Sequence, residues 1–299
     1  MVKKEHYIPQ FYLKRFGDGE KIDAYDIQNQ KYIPNTNALN FASKRFFYDI
    51  EQEKLKKHNE FLKSIFNTSF DKEENTIDSQ YVERILSRIE SNMSDSLDKL
   101  EQDYSLIENE KFLSSLFLFL RTLSIRTVGY RNMLSEIANQ KTEWLKSLNI
   151  KKYDDIYEDL SSEEIAKINQ LEYILSIPET LKKSISFFEN YNIFIGRNNT
   201  NLGFIISDEP FYHFELGFND ICFPVNRSLA IIMQVKDVDS KYLICTKKPD
   251  ANNTVNLDIK DVIKYNTFQN NLISRYLFGK MSDIKYFLKI SSVLNNLNL

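Results

Sequence analysis

The chain has 299 residues, of which 42% are apolar and 27% charged, the proportions of a soluble globular protein long enough to bury a substantial core. A net charge of −3 excludes a global basic field, so any contact with nucleic acid must come from a local patch among the 39 Lys and Arg. Two cysteines, Cys222 and Cys245, exclude a disulfide scaffold; both sit in apolar runs and are expected as buried small hydrophobes. Met1-Val-Lys-Lys-Glu-His6 contains no apolar run, so a signal peptide is not expected. The longest apolar run, Phe112 to Ile125, is too short to cross a bilayer and contains Arg121. A cytoplasmic protein with no membrane contact is therefore expected, and the Lys-, Asn- and Ile-rich composition suggests a bacterial gene.

In chain order, the first feature is HYIPQFYLKRF at residues 6–16, which places His6, Pro9 and Gln10 among tightly spaced aromatics. Chain ends are usually frayed and polar, so Tyr7, Phe11 and Leu13 are read as an anchor onto the rest of the fold. A helical reading of this segment sets His6 and Gln10 on one face. Gly17-Asp-Gly19 marks a turn, and Lys21–Ile27 followed by Gln30–Ile33 reads as a β-hairpin. From about Leu55 to Glu189 the period turns helical. Val82, Ile85, Ile89, Met93, Leu97, Leu100 and Tyr104 recur every three or four residues, with Glu83 and Glu90 flanking the stripe. One helix is expected from Glu110 to about Leu148, apolar on all sides at first and therefore buried. A charged loop or short helix covers Lys152–Ser162, and a further helix starting at Ser162 is interrupted near Pro178. Beyond Tyr191, the runs 192–196, 202–206, 220–223, 229–233 and 242–245 are strand candidates separated by turn residues. Asp258–Gly279 reads as a last helix. The expectation is an α+β fold in a single domain: an N-terminal motif and hairpin (1–50), a helical middle (51–190), and a C-terminal antiparallel β-sheet with a final helix (191–299).

The opening residues His6, Pro9, Leu13 and Phe16 fit a His-x-x-Pro-x-x-x-Leu-x-x-Phe pattern. Glu83 and Glu90, Arg126-Thr127 with Arg131, Ser207-Asp208-Glu209-Pro210, Phe223-Pro224-Val225 and Asn266 follow in order. Together they resemble the family of proteins carrying domain of unknown function 4238, from residue 6 to about 279. Val128 departs from the pattern, since the family often has proline there. The resemblance names relatives without a settled chemistry.

Histidines are scarce: His6, His58 and His213. With no His-x-x-x-His or Cys-x-x-Cys spacing, a structural zinc site is not expected. His6 is read either as a general acid–base or as a partly buried imidazole donating to a backbone carbonyl. Arg126 ends a segment that is apolar on every side, where a guanidinium needs a partner because it cannot deprotonate. The partner expected is Glu83, Glu90 or Asp208, in a structural ion pair, or else a bound phosphate, with Arg131 extending the basic site. Asp208 ends an apolar strand and is read as a turn former, an orienting carboxylate or a ligand for a divalent metal, although no metal motif accompanies it. Gln10 and Asn266 offer amides to a ligand or to backbone. Glycine-rich phosphate loops and the G-x-S-x-G elbow are absent. Two functions stay open. One is a nucleic-acid or phosphate-ester enzyme, a nuclease-like effector of phage defence, with His6, Arg126 and Asp208 converging in a cleft. The other is a non-catalytic binding or scaffold protein in which these residues form a buried polar network.

Overall fold

The computed structural model describes residues 4–48, 53, 79–147, 160–175, 188–211 and 219–296. The opening segment is a two-residue strand, β1 (Glu5–His6), followed by a short helix, α1 (Gln10–Lys14), which starts directly after Pro9. His6 and Gln10 therefore do not share a helical face: His6 is extended, and Pro9 enforces the extended-to-helix change. β1 pairs antiparallel with β4 (Ser43–Lys44). The expected hairpin forms as β2 (Lys21–Asp26) and β3 (Lys31–Asn37), and β2 alternates buried Ile22, Ala24 and Asp26 with less buried neighbours.

The helical middle contains α2 (Ser79–Leu100), α3 (Glu110–Ile125), α4 (Val128–Ser147) and α5 (Ser162–Leu175). α2 buries Val82, Leu86, Ile89, Met93, Leu97 and Leu100 along one stripe. α3 buries Phe112, Leu116, Phe117, Phe119, Leu120, Leu123 and Ile125, and it is the apolar centre on which the N-terminus rests. Phe11 meets Phe119 with ring centroids 5.5 Å apart, and Tyr12 stacks on Phe223 at 5.2 Å while donating its hydroxyl to the Pro224 carbonyl at 2.8 Å. Complete burial of side chains such as Leu13 and Phe16 stabilises by roughly 1.5–3 kcal/mol each. The aromatics of the opening segment are thus an anchor.

The expected single helix from Glu110 to Leu148 is broken after Ile125, and the chain bends by 60° between α3 and α4. Thr127 caps the new helix by accepting the Tyr130 N–H on its hydroxyl at 3.2 Å. Val128 occupies the first helical position, the one proline suits best. No single helix among the described residues is long and apolar enough to cross a membrane; only the bent pair together reaches that length and composition. The Lys152–Ser162 reading lies almost wholly outside the described residues, as does the interruption at Pro178.

The strand-rich part forms two four-stranded sheets. One has the order β3-β2-β10-β6, with β6 spanning Ile206–Ser207 and β10 spanning Tyr276–Gly279. The other has the order β7-β8-β5-β9, formed by Tyr191–Asn198 (β5), Asp220–Asn226 (β7), Leu229–Val235 (β8) and Thr254–Leu257 (β9). It is not wholly antiparallel, because β9 joins β5 in parallel. The fold is α+β, and the N-terminal hairpin is completed by a C-terminal strand, β10. The 242–245 run is not a strand: the Ile244 and Cys245 amides donate to the Asp220 carboxylate, at 2.9 and 3.3 Å, instead of to a neighbouring chain. The Asp258–Gly279 segment also divides. α6 (Ile259–Asn271) starts on a reciprocal Asp258–Asp261 capping box and ends before β10, and a further helix, α7 (Met281–Asn296), follows. Cys245 is buried and Cys222 half-buried; both are free thiols.

Candidate functional site

The break between α3 and α4 gathers several buried polar side chains, among them Arg126, Thr127, Arg131, Gln170 and Glu209. Arg126 is 2% exposed, and all three of its guanidinium nitrogens have internal partners. Nη1 donates to Glu90 Oε1 of α2 at 2.5 Å, Nε donates to the Tyr48 hydroxyl at 3.3 Å, and Nη2 donates to the His6 backbone carbonyl. Tyr48 in turn faces the Arg126 carbonyl at 3.4 Å and donates its own N–H to Glu5 Oε2 at 2.7 Å. One guanidinium thus ties the N-terminal strand, the 46–48 aromatic run and α2 to the end of α3. Glu90 is the partner among the three carboxylates the sequence offered; Glu83 lies close enough to Tyr48 to act on it electrostatically.

Thr127, the next residue, turns the other way. Its hydroxyl donates to Glu209, whose Oε1 also accepts the Gly129 N–H at 2.6 Å and the Ser274 hydroxyl at 3.0 Å. Glu209 therefore sits at the positive end of α4, where a carboxylate is favoured. Burial and the neighbouring Asp208 nevertheless outweigh these donors and push its pKa up to about 7. A side chain at position 129 would collide with this carboxylate, since a Cβ there would lie 2.7 Å from Oε1. Asp208 is 2% exposed and accepts the Ser274 and Arg275 amides on Oδ1 at 2.9 and 3.1 Å. Burial raises its pKa as well. Asp208 therefore fixes the turn that ends α6 and starts β10, and it does not reach Arg126. Tyr7 connects the two networks: it follows His6 in the chain, and its hydroxyl is raised by burial and then by Asp208 and Glu209.

Gln170 of α5 closes the break. Its Nε2 donates to the Ile125 and Thr127 carbonyls at 2.7 and 3.1 Å, satisfying groups that an interrupted helix leaves open. Its Oε1 accepts Arg131 Nε at 2.8 Å and Arg131 Nη2 as well. Arg131 lies 3.6 Å above the Phe47 ring. Burial lowers its pKa to about 10, and no carboxylate among the described residues forms an ion pair with it.

His6, Glu90, Arg126, Arg131 and Asp208 thus fall into two networks joined at residues 126 and 127, and Gln10 and Asn266 lie outside them. His6, Glu90 and Arg126 touch, but through the His6 carbonyl; the imidazole lies 3.3 Å from the Leu39 carbonyl, and burial lowers its pKa. That geometry is the second of the two roles read for His6. Asn266 serves backbone, donating to the Gly203 carbonyl at 3.0 Å and accepting the Ile205 N–H at 3.2 Å. Both amide atoms of Gln10 are enclosed without a hydrogen-bond partner. His58 and His213 lie outside the described residues, and among the described ones no group of three or more His, Cys, Asp or Glu is placed to hold a metal ion. Sequence reasoning missed Tyr48, Gln170, Glu209 and Gln269. The last of these accepts the Ser207 N–H at 2.9 Å and donates to the Pro210 carbonyl at 3.0 Å. An available signal was the second acid of Ser207-Asp-Glu-Pro210, which follows an apolar strand and shares the burial of the first.

Residues 4–282 match a family model described as protein of unknown function (DUF4238). No curated protein and no solved structure matches the chain.

Proposed function

The chain belongs to the DUF4238 family, and we propose that it acts as a non-catalytic binding protein whose N-terminal corner is held rigid by the buried network at the helix break. The observation that carries this reading is Arg126: its guanidinium is 2% exposed and each of its three nitrogens is bonded inside the protein, so it is turned to the interior and not to solvent. Asp208 and Asn266 are likewise directed at backbone groups. Such a network fixes one arrangement of the elements it joins.

The test is Arg126→Gln. Removing the guanidinium leaves Glu90 and the His6 carbonyl without it, which costs about 3 kcal/mol of stability. It also releases the corner, so hydrogen exchange at the Tyr7 amide, bonded to the Ala42 carbonyl at 2.8 Å, accelerates more than exchange in β8. The reading fails if exchange at Tyr7 is unchanged while a phosphodiesterase activity of the wild type disappears. The catalytic reading, a nuclease-like effector of phage defence, has one observation in its favour: the Glu209 carboxyl at about 7 lies in the range of a working acid–base group. Hydrolysis of a phosphodiester that follows this pKa and is lost in Glu209→Gln would establish it.

A further inference from the structure

Among the described residues β7 is an outer strand of its sheet, paired with β8 on one side only. The Val235 N–H donates to the Asn219 carbonyl at 2.9 Å, and the register sets Asp220 opposite Gln234 and Cys222 opposite Ile232. Bonded pairs alternate along an antiparallel ladder. Residues 219, 221 and 223 therefore bond to β8, and the backbone groups of Asp220, Cys222 and Pro224 point outward. The Pro224 carbonyl accepts the Tyr12 hydroxyl at 2.8 Å, and proline brings no N–H. No partner among the described residues reaches the backbone of Asp220 or Cys222. The other outer strands of the two four-stranded sheets are guarded. β3 carries Lys31 and Pro34, β6 gives its Ser207 N–H to Gln269 at 2.9 Å, and the Asn256 carbonyl of β9 accepts Lys247 Nζ at 3.0 Å.

α6 runs beside this open edge, fixed by the Tyr265 hydroxyl, which donates to Asp220 Oδ1 at 2.9 Å. Between strand and helix lies a cavity of about 50 Å³, lined by Pro210, Ile221, Cys222, Phe268, Gln269 and Leu272. The polar side chains there are committed inside the protein. Asp220 Oδ2 accepts Gln234 Nε2 and the Ile244 N–H, both at 2.9 Å, and Gln269 bonds Ser207 and Pro210. A side chain that enters the cavity is therefore apolar. At roughly 10–15 Å³ for each water-sized group, the space takes about four such groups, the bulk of a valine or leucine.

We infer that the β7 edge binds an extended peptide segment of another protein, which adds a strand beside Asp220 and Cys222 and seats one aliphatic side chain between β7 and α6. The inference goes beyond the binding reading above, which concerns how the N-terminal corner is held, and it stands or falls separately. The backbone pattern selects the occupant: N–H and C=O groups repeated at every second residue match an extended chain. A small apolar ligand would fill the cavity and leave those groups bare. The β7 of a second copy brings its own α6 to the edge, whereas a free segment brings no such wall. Tyr12 closes the edge at Pro224, so the added strand stops there.

The test is fluorescence anisotropy with the full chain and labelled, capped Thr-Val-X-Val-Thr peptides. The peptide with leucine at X binds, and the one with glycine binds about tenfold more weakly because the cavity stays empty. Methylating the peptide nitrogens at one set of alternate residues abolishes binding, and at the other set leaves it, because only one edge of the added strand faces β7. Cys222→Pro removes an outward N–H, keeps the bonds of Ile221 and Phe223 to β8, and weakens binding about tenfold. Amide hydrogen exchange needs no variant: in the free chain Cys222 exchanges faster than Ile221, and the leucine peptide slows it. The proposal is overturned if no peptide binds, if both methylated sets bind alike, or if the bound peptide leaves Cys222 exchange unchanged. Protection of Cys222 that grows with protein concentration, alongside dimers in sedimentation, overturns it in favour of a second copy.

Discussion

Replacing Glu209 by glutamine tests whether a buried carboxyl at the α4 N-terminus ionises late. In the native protein it titrates at about 7, against 4.5 for the same group in an unstructured chain. Below 4.5 both states hold the proton, and the group makes no difference to stability. As pH rises from 4.5 to about 7 the unfolded chain releases its proton first, so stability falls. Above about 7 the loss is complete. At about 1.4 kcal/mol per pH unit the loss amounts to roughly 3 kcal/mol. Glutamine keeps Oε1 as an acceptor for the Gly129 N–H and the Ser274 hydroxyl, and its N–H₂ takes the place of the second carboxylate oxygen. Any misfit of the amide adds an offset that does not depend on pH. Urea unfolding of both proteins at several pH values between 4.5 and 8 reads the difference. The variant gains on the wild type by roughly 3 kcal/mol across the interval, while Asp220, also raised by burial, contributes equally to both proteins. A difference that stays constant with pH would refute the reasoning, because Glu209 would then titrate alike folded and unfolded.

Two further substitutions probe the same region. Gly129→Ala drives a methyl group against Glu209 Oε1, and thermal unfolding should show a loss of about 1–3 kcal/mol; an unchanged midpoint would mean that the carboxylate moves aside without cost. Asn266→Ala strips partners from the Gly203 carbonyl and the Ile205 N–H, both inside the core, and denaturant unfolding should show a loss of about 2–4 kcal/mol. A loss below about 0.5 kcal/mol would mean that water or a neighbour replaces the amide.

What was legible in the sequence is what local pattern decides. The α2 stripe, the β2–β3 hairpin and the aromatic anchor at Phe11 and Tyr12 depend on periodicity and turn residues close in the chain. The helix break, the end of α6 and the 242–245 run were decided by side chains far away. Gln170 satisfies the carbonyls at the helix break from α5, Asp208 holds the amides where α6 stops, and Asp220 draws Ile244 and Cys245 out of strand pairing. Periodicity carries no information about a carboxylate or amide that arrives from another element. The candidate site divides in the same way. That Arg126 needs a carboxylate followed from burial alone, but the choice of Glu90 over Glu83 and Asp208 depends on how α2 packs. The use of the His6 carbonyl in place of its ring depends on Pro9 keeping that residue extended.

The position of the break explains why the buried polar residues concentrate there. An uninterrupted helix through residues 126 and 127 would satisfy its own backbone and bind nothing else with it. Breaking it exposes the carbonyls of Ile125 and Arg126 and the first amides of α4, and these find partners on three other elements: Gln170 on α5, Tyr48 beside β4, Glu209 after β6. The side chains of Arg126 and Thr127 then leave in opposite directions, one to the N-terminal strand and α2, the other to the carboxyl next to β10. Replacing a buried ion pair with apolar side chains of similar volume is often neutral or stabilising, so Arg126 and Glu90 are not explained by stability. Positioning is what an apolar core could not supply. Leucine and phenylalanine pack in more than one register, whereas a guanidinium bonded to one carboxylate, one hydroxyl and one carbonyl accepts a single placement of the strand that carries His6.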